Sequence, residues 1–250
     1  MKKIFVKNKR GEKLVGFKMS SKNDENVCLL VHGFGADKYD WGLLTQIGKF
    51  LNKYNITAYS FDFSGCGESD GSFETTTLTK EKDDLKAIIN YIRSKKPHKF
   101  FIIAQSFGTS VTIATNPKTD LTILMGSLAN PKKVIAEIFG KDYNPNGISS
   151  RKRRNDSITK IGPRFWKDLD KYDLSKIVKK LNFPVVFIHG DKDDRVPIEN
   201  SKLLFKNTGK LKSIEIIKGA DHGYWKHRKE LLKIIKKHLT KNKLIQNEAS

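Results

Sequence analysis

The sequence predicts an α/β domain: a mostly parallel sheet of about eight strands, helices on both faces and a small helical insertion capping it. Three observations predict it. Six short runs, Val27–Val31, Ile56–Phe61, Phe100–Ala104, Leu121–Met125, Val185–Ile188 and Ser213–Ile217, are mostly continuous in apolar residues rather than alternating. Continuous apolarity over such lengths means burial on both faces, as in a parallel sheet covered by helices. Segments of helical period lie between the runs, so strand and helix alternate along the chain.

The elements follow in order. Ile4-Phe5-Val6 and Leu14-Val15-Gly16-Phe17 flank Lys9-Arg10-Gly11, which reads as an antiparallel hairpin at one sheet edge. Leu44, Ile47 and Leu51 share a helix face. Leu85, Ile88, Ile89 and Ile92 repeat at i, i+3, i+4 and i+7. Leu231, Leu232, Ile235 and Leu239 form a last stripe. From about Ser127 to Leu181 no strand is expected; Asn144-Pro145-Asn146-Gly147, a basic cluster and a helical tail occupy it. One strand–helix unit needs far fewer residues. The stretch therefore reads as a helical insertion over the sheet, at about 127–181, within a single domain of residues 1–250.

Composition narrows the class. The chain of 250 residues is 38% hydrophobic and 10% aromatic, enough to bury a core without a disulfide or metal staple. The longest apolar runs are too short for a membrane span. Met1 to Lys7 returns to charge after three apolar residues, so a signal peptide is not expected. The two cysteines, Cys28 and Cys66, form no zinc or disulfide pattern, and a cytoplasmic setting is expected. The net charge of +21 first suggests a nucleic-acid partner. The lysines are spread, however, and interleave with acids in Lys80-Glu81-Lys82-Asp83-Asp84 and Lys167-Asp168-Leu169-Asp170-Lys171. Only Arg151–Arg154 is a dense cluster, expected to be exposed and able to guide anionic substrates. The excess reads as a solvated surface with no specific nucleic acid.

The chemistry is concentrated at strand ends. Phe100 to Ala104 runs into Gln105-Ser106-Phe107-Gly108, then a helix-capable segment. A serine on so tight a turn is lifted out of the sheet, and its neighbours two positions away must be small, here Ala104 and Gly108. Ala104 stands where glycine is usual. A serine hydroxyl needs a general base. Of the six histidines, His222 follows the last strand, on the carboxyl edge of the sheet where ligands of α/β folds bind. His98 lies at the opposite edge, and His227 and His238 fall in the final helix and are expected to be solvated. His32 and His189 end strands before a glycine and remain competitors. The base in turn needs a carboxylate, and Asp191, Asp193 and Asp194 compete on the loop after Val185–Ile188. Gly65, Gly67 and Gly71 within Asp62–Gly71 match neither a dinucleotide fingerprint nor a P-loop, and read as a structural turn. Cys66 beside them reads as a bystander thiol, since Ser106 occupies the elbow.

On these residues the chain resembles the serine α/β-hydrolases over nearly its whole length. The motifs that carry the resemblance are His32-Gly33-Phe34-Gly35, Asp62 to Gly71, Ala104 to Gly108, Gly190-Asp191-Lys192-Asp193-Asp194-Arg195-Val196-Pro197 and Gly219-Ala220-Asp221-His222. It is most similar to small esterases of the cinnamoyl/feruloyl type and to monoacylglycerol-lipase-like relatives, which carry a short helical cap where the 127–181 insertion falls. The resemblance selects Asp193, three before the Val-Pro pair, and implies a Ser106–Asp193–His222 triad. It also gives Phe34 as one backbone donor of an oxyanion hole; the residue after the nucleophile, Phe107, is the other. His32 then packs beneath that loop. Phe139, Tyr143, Phe165, Trp166 and Trp225 are candidate walls of a substrate pocket.

The expected reaction is hydrolysis of small or medium carboxylic esters through an acyl-enzyme, with no metal or cofactor. The alternatives are a thioesterase, a monoacylglycerol lipase-like or an aminopeptidase-like hydrolase, or a non-catalytic basic binding protein on the same fold. The expected partner is a small-molecule ester, and the expected state is a monomer or homodimer.

Overall fold

The structure is a computed structural model that describes residues 1–22, 24–153 and 156–246. Along the chain the strands are β1 (Lys2–Lys7), β2 (Lys13–Met19), β3 (Asn26–Val31), β4 (Ile56–Phe61), β5 (Lys99–Gln105), β6 (Leu121–Met125), β7 (Ser149–Lys152), β8 (Ile158–Ile161), β9 (Val185–Gly190) and β10 (Lys212–Ile217). The helices are α1 (Leu43–Asn52), α2 (Leu78–Arg93), α3 (Phe107–Thr115), α4 (Pro131–Phe139), α5 (Pro163–Leu169), α6 (Leu174–Ile177), α7 (Glu199–Asn207) and α8 (Arg228–Lys241).

Eight strands form one sheet in the order β1-β2-β4-β3-β5-β6-β9-β10. The β1–β2 hairpin lies at one edge, and the strands from β4 to β10 pair in parallel. Every residue of β4, β6 and β9 is buried, as their continuous apolar runs require. The pleat sends alternate side chains to opposite layers. Val27, Leu29 and Val31 join Phe100, Ile102 and Ala104 on the face covered by α2, α3 and α7. Cys28, Leu30, Phe101 and Ile103 meet the apolar stripes of α1 and α8 on the other. Within α8, His238 is buried against Glu215 at 2.8 Å, not solvated as its helical position suggested. It sits on the face that meets the edge strand β10.

The stretch between β6 and β9 departs from its strandless reading. It carries α4, α5 and α6, and also β7 and β8, an antiparallel pair with Arg151 opposite Thr159. Ser-Ser-Arg-Lys and Ile-Thr-Lys-Ile are too short and polar to give an apolar-run signal. The insertion is tied down at named points. Trp166 Nε1 donates to Ser149 Oγ at 3.1 Å. Asp168 accepts from the Thr79 amide at 2.8 Å and the Thr79 hydroxyl at 2.7 Å. Gly162 N–H donates to the Glu74 carbonyl at 2.8 Å. At its far end α6 packs on α3 and α7.

Candidate active site

β5 delivers Ser106 at the sheet's carboxyl edge with φ 53° and ψ −126°, a sparsely populated positive-φ backbone that costs an L residue about 1–3 kcal/mol. The turn is held by Ser106 N–H donating to the Met125 carbonyl at 2.8 Å and by Thr109 N–H donating to the Ser106 carbonyl at 2.9 Å. The tight elbow brings α3 against β3, where a Cβ at Gly108 would run into the His32 carbonyl oxygen. Ala104 is fully buried between Val31 and Leu124 in the register, so its methyl belongs to the core.

His222 lies on the loop after β10. Its Nε2 is 3.0 Å from Ser106 Oγ and its Nδ1 is 2.7 Å from Asp193 Oδ2. Gln105 Nε2 donates to the His222 carbonyl at 2.9 Å, joining this loop to the elbow. Asp193 is on the loop after β9, its side chain 1% exposed. Its Oδ1 accepts from the Arg195 and Val196 amides at 2.9 and 2.8 Å. Burial works to raise its pKa, but hydrogen bonds from His189, His222 and the Val196 amide, with the charge of His222, hold it well below the usual carboxylate range. The competing acids have other surroundings. Asp191 accepts from the Gly219 amide at 2.6 Å, and Asp194 is exposed in the cleft wall.

On the β3 side, a Cβ at Gly33 would stand 3.0 Å from Ser106 Cβ, so the loop passes close to the serine. The backbone N–H groups of Phe34 and Phe107 donate to no protein acceptor among the described residues. His32 lies beneath the loop, donating from Nδ1 to the Gly33 carbonyl at 2.8 Å and accepting the Phe63 N–H at Nε2, 3.1 Å away. The Asp62–Gly71 turn braces the same loop. Asp62 accepts from the Lys38 amide at 2.6 Å and from Lys38 Nζ at 2.8 Å, and Lys38 also meets Glu68 at 2.7 Å. Buried Cys66, its thiol pushed up by burial, is not part of this arrangement.

A cleft of about 330 Å³ opens over Ser106 and His222. Phe34, Trp41, Trp225 and three arginines, Arg151, Arg195 and Arg228, contribute to its wall. Trp225 was expected there. Phe139, Tyr143, Phe165 and Trp166 were too, but they do not line it. Phe139, Phe165 and Trp166 are buried, and Phe139, Tyr143 and Phe165 each pack edge to face against Trp166, with Tyr143 4.7 Å and Phe165 5.2 Å away. Large apolar rings gain more from closing the seam between the insertion and the sheet domain than from facing a wet cleft. The basic cluster also differs from an exposed patch. Arg151 stands in the cleft wall, and Arg153 is half-buried against Thr159, its pKa lowered by desolvation. Arg154 lies outside the described residues.

Two contributors carried no sequence signal for their place. Asp40 Oδ2 accepts the Gly33 amide at 3.1 Å from a run of left-handed residues, Asp40, Trp41 and Gly42. His189 Nε2 comes within 3.2 Å of Asp193 Oδ2, the oxygen that also meets His222. Among the described residues no three His, Cys, Asp or Glu side chains gather as metal ligands, and no helix is long and apolar enough to cross a membrane.

Comparison with known proteins matches this geometry to a fold. The profile of the alpha/beta hydrolase family matches residues 28–233. The human mitochondrial palmitoyl-protein thioesterase ABHD10 is 24% identical over 176 residues, covering 62% of this chain. The chain spans 53% of that relative's length. Est1E from Butyrivibrio proteoclasticus, solved with ferulic acid bound, superposes with a TM-score of 0.81 at 21% identity, over 96% of this chain and 98% of that one. The esterase domain of a Rhodothermus marinus protein gives 0.76 at 20% identity, with the same coverages of 96% and 98%.

Proposed function

The chain belongs to the alpha/beta hydrolase family, and from that premise we propose that it hydrolyses carboxylic esters of small or medium size through an acyl-enzyme. The observation that carries the reading is the line of hydrogen bonds from Ser106 Oγ to His222 Nε2 at 3.0 Å and from His222 Nδ1 to Asp193 Oδ2 at 2.7 Å.

In this reading Ser106 Oγ attacks the ester carbonyl carbon while His222 Nε2 takes its proton. Asp193, kept ionised, holds the Nδ1–H tautomer and stabilises the imidazolium. The carbonyl oxygen becomes an oxyanion facing the Phe34 and Phe107 N–H groups, whose freedom from protein acceptors supports that role. Collapse breaks the C–O bond to the alcohol, which leaves with the proton from His222. Water, activated by the same imidazole, then releases the acid and restores Ser106. The cleft of about 330 Å³ favours compact substrates. Its rim of Trp41, Trp225 and Arg228, with the Arg228 guanidinium 4.2 Å over the Trp225 ring, suits a planar or polar leaving group. The same chemistry cleaves thioesters, and the name of the human relative keeps that substrate class as the second reading.

The test is a panel of p-nitrophenyl esters of increasing acyl length, run with methyl ferulate, a monoacylglycerol and an acyl thioester. Turnover should be highest for short acyl chains and absent in Ser106→Ala. A rate equal in that variant, or no turnover of any ester, contradicts the reading; preference for the thioester selects the second one.

A further inference from the structure

β9 ends in Ile188-His189-Gly190, and His189, four residues before Asp193, is wholly buried. Its ring has two defined contacts. Nε2 lies 2.9 Å from the Val196 carbonyl oxygen and 3.2 Å from Asp193 Oδ2. Both are acceptors, so Nε2 carries the hydrogen. Nδ1 must then accept in the neutral ring, and its partner is Ser201 Oγ at 2.6 Å. Ser201 Oγ accepts the Ser127 amide at 3.3 Å, which leaves its own hydrogen free for Nδ1. The surroundings thus select a single tautomer of His189.

The consequence falls on Asp193. Its Oδ1 receives two backbone N–H groups, from Arg195 and Val196. Its Oδ2 accepts the His222 N–H at 2.7 Å and lies 3.2 Å from His189 Nε2, whose hydrogen is turned to the Val196 carbonyl. A second N–H dipole held this close to a carboxylate oxygen stabilises its charge and so weakens it as an acceptor for the first donor. We infer that His189 is a positioning residue: through Asp193 Oδ2 it fixes the orientation of the acid and limits how strongly the acid draws the proton of His222. This rests on the roles proposed above for Ser106, His222 and Asp193.

Other ionisable groups face the pair. Tyr224 donates its hydroxyl to the Ile188 carbonyl at 3.0 Å, and burial beside the Asp193 charge keeps the phenol protonated. Asp40 bears on His222 from the loop after β3, its own pKa raised by burial. Among the described residues, the ion-pair contacts of Asp193 are His189 and His222.

Two variants isolate the effect. His189→Gln keeps an N–H donor within reach of Asp193, and His189→Leu removes it at similar volume. For each, the pH dependence of kcat/KM on p-nitrophenyl acetate is measured with the NMR titration of the His222 ring and a melting curve. In His189→Leu, Oδ2 serves His222 alone, the imidazolium is better stabilised, and the His222 titration and the acid limb of the profile both move up by about half to one pH unit. kcat/KM nevertheless falls, by about tenfold, because the acid loses a neighbour that holds its orientation and His222 is aimed less well at Ser106. His189→Gln returns both the titration and the rate close to wild type. An unmoved His222 titration in a folded His189→Leu protein, or a Gln variant as impaired as Leu, overturns the inference. Should His189→Leu not fold, His189→Asn, polar but too short to reach Asp193, takes its place with the same expectations. The NMR titration needs no substrate. A protein inert to every ester would therefore sink the hydrolase reading, while the His222 shift still decides the role of His189.

Discussion

Asp193 and Glu81 are both buried carboxylates, one on the loop after β9 and one in the first turn of α2, and their surroundings push them in opposite directions. Burial penalises the charge of each. Asp193 has N–H donors on both oxygens, two backbone amides on Oδ1 and the His222 imidazole on Oδ2, with His189 Nε2 3.2 Å away, and is held below the usual range. Glu81 is 2% exposed and accepts from the Thr76 hydroxyl at 3.2 Å. It lies one helical turn from Asp84, whose charge adds to burial and lifts the Glu81 pKa to about 8. Asp84 itself is surrounded by donors: Asn8 at 2.7 Å, Arg10 at 2.6 Å and the Ser64 amide at 2.9 Å. The lesson is that depth does not decide ionisation; the number of donors aimed at the group does. The chain spends its donors on the acid whose charge the proposed reaction uses.

The largest effect expected from this contrast is on Asp193. Asp193→Asn keeps the shape but lowers kcat by about 10⁴, because the amide cannot hold the same tautomer of His222 or offset its charge. Steady-state turnover of a p-nitrophenyl ester measures it, with circular dichroism to show that the fold persists. A loss smaller than tenfold would place the working acid elsewhere on the loop.

Glu81 supplies the intermediate effect, with the opposite sign in pH. The unfolded chain ionises Glu81 above about 4.5, whereas the folded chain keeps its proton to about 8. Its contribution therefore weakens the fold as pH rises from about 4.5 to about 8, and levels off beyond. Asp193, with its depressed folded value, stabilises the fold above the ordinary carboxylate range and loses that contribution as pH falls. Glu81→Gln should raise the melting temperature at pH 8.5 by about 4 °C and change it little at pH 4.5. Equal shifts at both values would show that the side chain is ionised throughout.

The smallest effect sharpens the choice of acid. Asp194→Asn, at an exposed carboxylate in the cleft wall, should alter kcat/KM less than about threefold, as exposed charges do. Asp191→Asn, which keeps an acceptor for the Gly219 amide, should behave alike. A crippling loss in Asp194→Asn would mean that the Val-Pro register selects the wrong aspartate.

Much of this was legible in the sequence, for a physical reason. β4, β6 and β9 are buried on both faces, so their composition is apolar throughout and marks them whatever their neighbours do. The elbow at Ser106 needs small residues at fixed offsets, which leaves a mark in Ala104 and Gly108. The hairpin of β7 and β8 left none, because strands of four residues, one polar throughout and the other alternating, pair through backbone hydrogen bonds that any side chains permit. The aromatic residues of the insertion were legible as apolar but not as to which surface they cover. Phe165 and Trp166 close the seam over the body, and Trp225 is left on the rim. In the sequence His189 reads as a strand-end competitor for the base and Asp40 carries no signal, since their partners, Ser201 and Val196 for one and Gly33 for the other, become neighbours only through tertiary contacts.

The central claim is that Ser106 is a nucleophile activated by His222. Its most direct measurement is the site of covalent labelling by a fluorophosphonate probe, located by peptide mass spectrometry in wild type, Ser106→Ala and His222→Ala. The account predicts a single adduct on the peptide containing Ser106, none in Ser106→Ala, and labelling slowed by at least about 100-fold in His222→Ala. An adduct that persists in Ser106→Ala, or one that forms as fast without His222, would contradict it.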